Sequence, residues 1–582
     1  MLNKILNFKT NIFQTFIIIF VINLILFITY YGKLGMFFID VSREVYIPTQ
    51  INNGELLYKN IFNIFTPLGY QINAILTNIF GENLNTFYWI GFINSTIILF
   101  GLFMLLRYFL KGKEYSTITS ILVIFIVMVS CNYSVSLTNY IFPYSYSLIF
   151  AMTSIIWSLI ALLYFIKKQN TKYLYISSFL YGFSIAFKYD FLLFGIVLLL
   201  TIILSKSKII DKIINLLLIV LPLCISFIEL FWRGVSIEEF TTAFDYISKI
   251  ATSKSNTLLY KYLGFFPTIN SIKELFVNFI IVSFIISFYH IAINKTISNL
   301  ISNNSKKILN IIIFCLLIVS PFCIFLKKFI NSNAFYFNWI GLSTLFLIIP
   351  LLKKFKDKSL DKNDFLFFIF LLSVLLISIK SIFNISFNSY GTYYFPLLFT
   401  VVLTFIFNHS KKTDKLTIIT LLFVLFGLFA LSNFERTKYT HNCLLKTEKG
   451  TVYISNEFCT PVKETCHFIE KNTKKNDTIL ILPEGAMINF LTNRKSHNKF
   501  FHLIPPNLEA LDENFVVEEL KKDLPDYLIL ESMSYTNFNE TFFCESFGQK
   551  ICGLIPQYYE QPIVFGENFW LAIYKKKEKN EK

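Results

Sequence analysis

Long apolar blocks dominate this chain, and short polar loops separate them. A helix needs about 20 consecutive apolar residues to cross the hydrocarbon core of a bilayer. About thirteen blocks come near that length, at 12–30, 86–106, 117–131, 147–166, 173–187, 191–205, 213–231, 275–293, 309–326, 335–352, 365–379, 394–408 and 416–432. Since the blocks are continuous rather than striped, they predict an all-α polytopic membrane protein.

Basic residues recur in every second loop between these blocks. When the thirteen spans are threaded in order, one side receives the loops that contain Lys4 and Lys9, Lys111 and Lys113, Lys167 and Lys168, Lys206 and Lys208, Lys306 and Lys307, Lys353 and Lys354, and Lys411 and Lys412. The positive-inside rule makes that side cytoplasmic. We therefore expect a multi-pass protein of the cytoplasmic (inner) membrane, with a cytoplasmic N-terminus and an extracytoplasmic C-terminal region.

The composition changes after the last block. Strand-like runs at Thr478–Pro483 and Tyr527–Glu531 alternate with helix-like runs at Val462–Glu470 and Phe515–Lys522. This alternation is typical of an α/β domain. The sequence therefore predicts two domains, a membrane domain over 1–432 and an extracytoplasmic α/β domain over 433–582. In an oxidising compartment its cysteines favour one or two disulfides, with Cys544–Cys552 the nearest pair.

Composition supports the membrane assignment and narrows the partners. Hydrophobic residues make up 54% of the 582 positions, charged residues only 15%, and the mean hydropathy is +0.57. A soluble domain carries about 25% charged residues. The net charge of +16 resides largely in the loop lysines. We therefore expect a lipid bilayer, and no nucleic acid, as the partner of these charges.

The first outer segment, 31–85, carries the candidate chemistry. It is more polar than its surroundings and contains Asp40, Arg43 and Glu44. If Val41–Ile51 is helical, Asp40 and Glu44 share one face because they are four residues apart. Asn53-Gly54 is a helix-ending signal, and Thr66-Pro67 begins a second helix. The segment thus predicts two short helices on the outer membrane surface.

The order of motifs in this segment resembles a known family. The matching positions are Asp40, Arg43-Glu44-Val45-Tyr46, Gly54, Leu57-Tyr58, Pro67-Leu68 and Phe80-Gly81. They resemble the first outer loop of GT-C glycosyltransferases, most of all the bacterial branch of family 39 with its protein mannosyltransferases and aminoarabinose transferases. Further similar segments are Asn139–Ser145, Gly182–Asp190, Gly391–Tyr394 and Leu482–Arg494.

The resemblance implies an enzyme. Such proteins transfer a sugar, with inversion, from a polyprenyl-phosphate-linked donor to a hydroxyl of a lipid, glycan or protein at the outer membrane face. An acceptor hydroxyl needs a base to remove its proton. We assign that role to Asp40, with Glu44 as its assistant or as the partner of Arg43. A divalent metal ion shared by Asp40 and Glu44 is a further expectation.

The leaving lipid phosphate needs cations to stabilise its developing charge. Arg43, Lys188 and Lys380 are the candidates. Lys188 interrupts an apolar stretch, where charges are expensive and commonly functional. The alternative for Lys188 is a loop lysine that pairs with Asp190, and snorkelling alone explains Lys380.

Three residues are candidates for the substrate pocket: Tyr58, Tyr144 and Ser145. Tyrosines at this level also form the aromatic belt of ordinary membrane proteins. In the C-terminal region, Glu484 and Arg494 are candidates for acceptor contacts, although any α/β fold has such a strand-to-helix loop.

Two other functions fit parts of the pattern. A transporter or flippase for lipid-linked sugars would show repeated halves and charges deep within several spans, and neither is evident in this sequence. A membrane scaffold leaves the Asp40 segment unexplained. Convergence of Asp40, Lys188 and Lys380 on one outward-facing site favours the enzyme, whereas dispersal favours the alternatives.

Overall fold

The computed structural model describes residues 11–35, 40–110, 116–133, 138–262, 335–383, 390–409, 441–497 and 499–578, together with isolated positions near 269–280 and at 437. The chain is mostly helical, with a small β-sheet region near its C-terminus. Five of the described helices are long and apolar enough to cross a membrane. The fold is therefore that of a polytopic helical membrane protein with a C-terminal α/β region.

Fifteen described helices precede the sheet region. They are α1 (Ile12–Tyr30), α2 (Asp40–Asn52), α3 (Leu68–Phe80), α4 (Leu84–Phe109), α5 (Ser116–Val127), α6 (Tyr146–Lys168), α7 (Thr171–Phe187), α8 (Phe194–Leu204), α9 (Ile209–Trp232), α10 (Ile237–Thr252), α11 (Lys254–Tyr262), α12 (Phe335–Phe346), α13 (Ile348–Lys356), α14 (Lys362–Ser378) and α15 (Phe395–His409). A π-helical turn, Met128–Asn132, follows α5.

Most of the predicted spans coincide with helices. The span predicted at 12–30 is α1, and those at 147–166 and 213–231 lie within α6 and α9. The span predicted at 335–352 is wrong as one helix, because it divides at Leu347 into α12 and α13. The spans at 309–326 and 416–432, and most of 275–293, lie outside the described residues. The count of thirteen therefore stays a prediction.

Small and polar residues bring the membrane helices together. Ser158 of α6 donates a hydrogen bond to the Ser177 carbonyl of α7 at 2.8 Å. Gly182 of α7 lies against the backbone of Ile219 in α9, with no room for a Cβ between them. In lipid, such close approach replaces the hydrophobic effect as the main source of helix association.

The C-terminal region contains two sheets. A hairpin joins β1 (Cys443–Thr447) to β2 (Gly450–Ile454). The second sheet has the order β3 (Ile479–Leu482), β4 (Tyr527–Glu531), β6 (Leu571–Lys575) and β5 (Ile563–Phe565), and only the β3–β4 pair is parallel. The helices of the C-terminal region are α16 (Asn456–Asn472), α17 (Ala486–Thr492), α18 (Pro505–Leu511), α19 (Glu513–Lys522), α20 (Gln549–Cys552) and α21 (Ile555–Tyr558).

The elements predicted for this region are confirmed. The run Tyr527–Glu531 is β4, and the other strand-like run contains β3. The helix-like runs lie within α16 and α19. Disulfides join Cys443 to Cys459 and Cys544 to Cys552, so the predicted nearest pair is also confirmed. The first hairpin and the strands β5 and β6 had not been predicted.

The C-terminal region packs directly on the first outer segment. The Tyr453 amide donates to the Gly32 carbonyl, and the Leu84 amide donates to the Lys449 carbonyl, each at 2.7 Å. The Ser496 amide donates to the Tyr46 hydroxyl of α2 at 2.7 Å. These bonds fix both ends of the segment and its first helix, and so position the residues that follow.

Candidate active site

The two outer helices form where the sequence predicts them. Helix α2 ends at Asn52, and Gly54 follows it with φ +93°, a left-handed conformation that glycine adopts without a steric cost. Pro67 is the N-cap of α3. Between these helices the chain returns through Phe65, whose ring becomes a wall of the candidate site.

Glu44 is buried at the junction of three helices. Its Oε1 accepts a hydrogen bond from the Tyr70 hydroxyl of α3 at 2.7 Å, and its Oε2 accepts one from the Tyr146 amide of α6 at 2.8 Å. The second bond places the carboxylate at a helix N-terminus, where the helix dipole favours negative charge. Arg43 Nε lies 3.7 Å from Oε1. Burial raises the pKa of Glu44, while Arg43 and the two hydrogen bonds oppose the shift.

Arg43 and Lys188 both lie against the ring of Phe65. The guanidinium carbon of Arg43 is 4.7 Å, and Lys188 Nζ 5.0 Å, from the ring centroid. The Phe65 carbonyl accepts hydrogen bonds from the Tyr58 hydroxyl and the Asn63 amide, both at 2.6 Å. Cation–π attraction therefore holds the two cations near one another. Tyr58, predicted as a pocket residue, thus helps to fix the position of Phe65 through its hydrogen bond to the Phe65 carbonyl.

Lys188 is enclosed by aromatic rings. Only 4% of the residue is exposed, and Nζ lies 5.3 Å from the ring centroids of both Tyr144 and Tyr390. Nζ also donates to the Tyr144 hydroxyl at 3.4 Å and lies 4.0 Å from Asp190 Oδ2. The pairing with Asp190 that the sequence offered as an alternative is present, but within a buried site and not in an exposed loop.

Asp190 joins the second lysine to the same site. Lys380 Nζ lies 3.0 Å from Asp190 Oδ1 and 4.9 Å from the centroid of the Tyr390 ring. The Tyr390 hydroxyl also donates to Asp190 Oδ2. Lys380 keeps 35% of its side chain exposed, whereas the Asp190 side chain is almost fully buried. Lys188 and Lys380 thus converge on one carboxylate and one ring.

We call Arg43, Glu44, Lys188, Asp190 and Lys380 the basic cluster. Three cations and two carboxylates leave one excess positive charge among these five side chains. Charge-assisted hydrogen bonds to phosphate are among the stronger polar contacts in proteins. The cluster is thus suited to hold an anionic group such as a phosphate.

The roles predicted for Asp40, Tyr144 and Ser145 stay predictions. Asp40 is the first residue of α2, one helical turn before Glu44, but its side chain lies outside the described part. Its role as a base therefore stays a prediction. Tyr144 borders the basic cluster, whereas the Ser145 hydroxyl caps α6 by accepting from the Leu148 amide. The pocket roles of these two residues also stay predictions.

The described partners of Glu44 do not fit a divalent cation. Both of its oxygens already accept hydrogen bonds, and Arg43 would repel a metal ion placed beside them. Within the described residues, no three His, Cys, Asp or Glu side chains form a group able to hold a metal. The shared ion predicted for Asp40 and Glu44 stays a prediction, and no chemical step is derived from it.

Two residues of the site, Phe65 and Tyr390, were not predicted from the sequence, and they form its aromatic walls. Asp190, which the sequence offered only as the partner of Lys188, links Lys188 to Lys380. Two weak signals existed: Phe65 directly precedes the helix-starting Thr66-Pro67, and Tyr390 directly precedes the Gly391–Tyr394 segment. Neither signal distinguishes these rings from the many other aromatic residues of the chain.

The C-terminal candidates lie apart in a second buried group. The Tyr535 hydroxyl lies 3.1 Å from Glu484 Oε1 and 2.7 Å from Glu531 Oε1, and His502 Nε2 is 3.0 Å from Glu484 Oε2. Burial raises the pKa of Glu531 to about 8. Arg494 instead bonds to Thr473 and to backbone carbonyls. The acceptor role predicted for Glu484 and Arg494 stays a prediction.

Three solved structures of known proteins are similar to this chain in fold. No family model matches it, and no curated protein sequence is similar to it. ArnT from Cupriavidus metallidurans with bound undecaprenyl phosphate is 10% identical, with a TM-score of 0.45 and coverage of 96% of this chain and 97% of that one. Its apo state gives 11% identity, a TM-score of 0.43 and coverage of 96% and 98%.

The third similar structure is the apo form of the Archaeoglobus fulgidus oligosaccharyltransferase. It is 10% identical over 98% of this chain and 75% of that one, with a TM-score of 0.48. At these identities and TM-scores, the three likenesses assign neither a family nor an activity to this chain.

Proposed function

We propose that this protein is a GT-C-type integral membrane glycosyltransferase of the outer face of the cytoplasmic membrane. It transfers a sugar from a polyprenyl-phosphate donor to a hydroxyl of a lipid, glycan or protein. The observation that carries the proposal is the convergence of Arg43, Lys188 and Lys380 in one site. An enzyme was expected to bring Asp40, Lys188 and Lys380 together, and the two lysines do meet. Their meeting supports an enzyme over a transporter or a scaffold.

The basic cluster receives the donor phosphate in this proposal. Arg43 and Lys188 lie against Phe65, and Lys188 and Lys380 lie against Tyr390, which supports a phosphate site at these rings. Asp190 and Glu44 hold the cations in place and limit their excess charge. The polyprenyl chain lies along the apolar helices, where only a membrane-embedded site can accommodate it.

The proposed reaction is a direct displacement at the anomeric carbon. The acceptor oxygen forms the new bond to that carbon while the bond from the carbon to the phosphate oxygen breaks. The electron pair leaves with the lipid phosphate, whose added negative charge the basic cluster stabilises. The hydroxyl proton passes to the Asp40 carboxylate. The anomeric configuration is inverted because attack and departure occur on opposite faces.

Replacement of the proposed base tests this function. General bases contribute about 100- to 10,000-fold to rate, so Asp40→Asn should lower sugar transfer by at least about 100-fold. The assay uses membranes that contain the protein and a panel of radiolabelled polyprenyl-phosphate sugars. Equal insertion and accumulation of the variant are checked by immunoblot.

Glu55→Gln is the matched control, because Glu55 lies in the same outer segment but pairs with Lys495 away from the basic cluster. Its turnover should equal that of the wild type. Near-normal transfer by Asp40→Asn would remove Asp40 from the base role. Absence of transfer from every donor by the wild type, in membranes where it accumulates, would argue against the enzyme itself.

A further inference from the structure

A polar cavity opens among the described helices at a distance from the basic cluster. Its volume is about 310 Å³. The ends of α4, α6, α13 and α15 and the start of α14 form its walls, with side chains that include Tyr108, Lys167, Lys354, Asp364 and Phe405. None of these residues belongs to the candidate active site.

The cavity and the basic cluster lie at opposite membrane faces. Helix α6 begins at Tyr146, whose amide bonds to Glu44, and Lys167 in its last turn lines the cavity. Its 23 residues extend about 34 Å at about 1.5 Å per residue, close to the thickness of a hydrocarbon core. Helix α14 runs the opposite way, from the cavity towards Lys380.

The carboxylates of the cavity are already engaged. Asp364 places both oxygens 2.9 Å from Lys354 Nζ. Asp361 caps α14 by accepting a hydrogen bond from the Asp364 amide at 2.6 Å. Lys167 differs from Lys354, because no carboxylate of the described residues lies within ion-pair distance of it. Its Nζ lies over the Tyr108 ring, 4.9 Å from the centroid. Lys167 thus lines the cavity without an ion-pair partner among the described carboxylates.

The surroundings favour an anionic ligand with an apolar part. Further lysines lie close in the chain to the residues that line the cavity, namely Lys168, Lys353, Lys356, Lys358 and Lys362. Aromatic side chains form much of the wall, including Tyr108, Phe109, Phe367 and Phe405. Basic pockets between membrane helices bind phosphate head groups of lipids, and rings at this level pack against the glycerol and upper acyl chains.

We infer that this cavity is a binding site for a phosphate-bearing anion and that its occupant is the head group of an anionic phospholipid. Lys167 supplies the charge that recognises the phosphate. The rings of Tyr108 and Phe405 contact the apolar part of the lipid. The site is separate from the proposed donor site, so it does not depend on the glycosyltransferase proposal.

Native mass spectrometry of the full chain tests this inference. The protein, purified in detergent, is incubated with phosphatidylglycerol, and retained lipid is counted for the wild type, Lys167→Gln and Lys206→Gln. One lysine near an anionic lipid contributes about 1 kcal/mol, which is about a fivefold change in affinity. We expect about fivefold weaker lipid binding in Lys167→Gln. Lys206 is an exposed loop lysine outside the cavity, so Lys206→Gln should bind as the wild type does.

A parallel titration with inorganic phosphate separates the two sources of the anion. If phosphate raises the thermal midpoint of the wild type but not of Lys167→Gln, and lipid retention is unchanged, the cavity is an anion site filled from solution. If lipid retention alone depends on Lys167, the occupant is the phospholipid. If neither lipid nor phosphate distinguishes Lys167→Gln from the wild type, the inference is wrong.

Discussion

Lys188 shows how a single buried cation is stabilised in this protein. Three aromatic rings surround its ammonium group, and Asp190 supplies a carboxylate 4.0 Å away. A buried charge is costly unless a partner compensates it. The interruption of an apolar run revealed this lysine in the sequence, because ions at such depth are rare. Its partners Phe65 and Tyr390 lie 123 residues before it and 202 residues after it, so no local pattern connects them.

Substitution of this lysine should weaken the use of the donor. We expect Lys188→Gln to lower kcat/KM for the polyprenyl-phosphate sugar by about 10- to 100-fold, because a charged hydrogen bond contributes about 1.5–3 kcal/mol. Lys59→Gln is the control, since Lys59 lies in the same outer segment and pairs with Glu239 outside the cluster. The measurement is the initial rate of transfer at varied donor concentration. Unchanged kinetics in Lys188→Gln would exclude Lys188 from donor binding.

At the scale of elements, close backbone contacts determine where the site residues stand. Gly91 of α4 lies directly against the backbone of Ile141. The segment that contains Ile141 continues to Tyr144 and to Tyr146, whose amide bonds to Glu44. A side chain at Gly91 would therefore displace a segment that borders the candidate active site, and backbone atoms cannot move aside as readily as the end of a side chain.

Gly91→Ala should lower the stability of the protein by about 1–3 kcal/mol, the usual cost of overpacking. Gly101→Ala in the same helix is the matched control, because the atoms nearest to its Cβ would belong to the side chains of Ile156 and Trp157 and not to the backbone. Both variants gain the same helix propensity. The thermal midpoint of the purified protein in detergent measures the difference. Equal midpoints for the two variants would show that the contact with Ile141 is not restrictive.

Element boundaries illustrate the strength of local patterns. The predicted helix over Val41–Ile51 and the turn at Asn53-Gly54 are confirmed, because periodicity and glycine both act locally. The span predicted at 335–352 consists of two helices, α12 and α13, which meet at Leu347. The strand β5 was missed because it has only three residues. The strand β6 was missed although it pairs with β4, some 40 residues earlier in the chain, because no local pattern reports such a partner.

At the scale of the whole molecule, the C-terminal region acts as a clasp on the first outer segment. Hydrogen bonds tie Gly32 and Leu84 to the β1–β2 hairpin of that region, and Tyr46 to Ser496. Within this C-terminal region, Glu531 is buried in a group with Glu484, Tyr535 and His502. The Tyr535 hydroxyl can donate only one proton, so its two carboxylate contacts favour a second proton held on a carboxyl group. The raised pKa of Glu531, about 8, agrees with that arrangement.

Because the Glu531 carboxyl group holds a proton in the folded protein, the stability of the protein should depend on pH. Glu531 ionises near pH 4.5 in an unfolded chain and near pH 8 in the native protein, so the native state binds more protons between these values. The free energy of unfolding should therefore fall as pH rises from about 4.5 to 8, by up to about 1.4 kcal/mol per pH unit.

Glu531→Gln carries a permanently neutral side chain and should flatten this dependence. Thermal midpoints of the full chain in detergent, followed by circular dichroism from pH 5 to pH 8, measure the slope. Glu567→Gln is the control, because Glu567 is exposed, and its slope should match that of the wild type. Parallel curves for the wild type and Glu531→Gln would show that Glu531 does not retain its proton in the folded protein.

The sequence by itself determined the class of this protein, most of its helices and the first outer segment with its charged residues, because apolar length, helical period and turn residues act over a few positions. The tertiary structure alone decided that Arg43, Lys188 and Lys380 meet around Phe65, Tyr390 and Asp190. That meeting depends on contacts between residues more than 100 positions apart, and such contacts arise from the packing of whole helices.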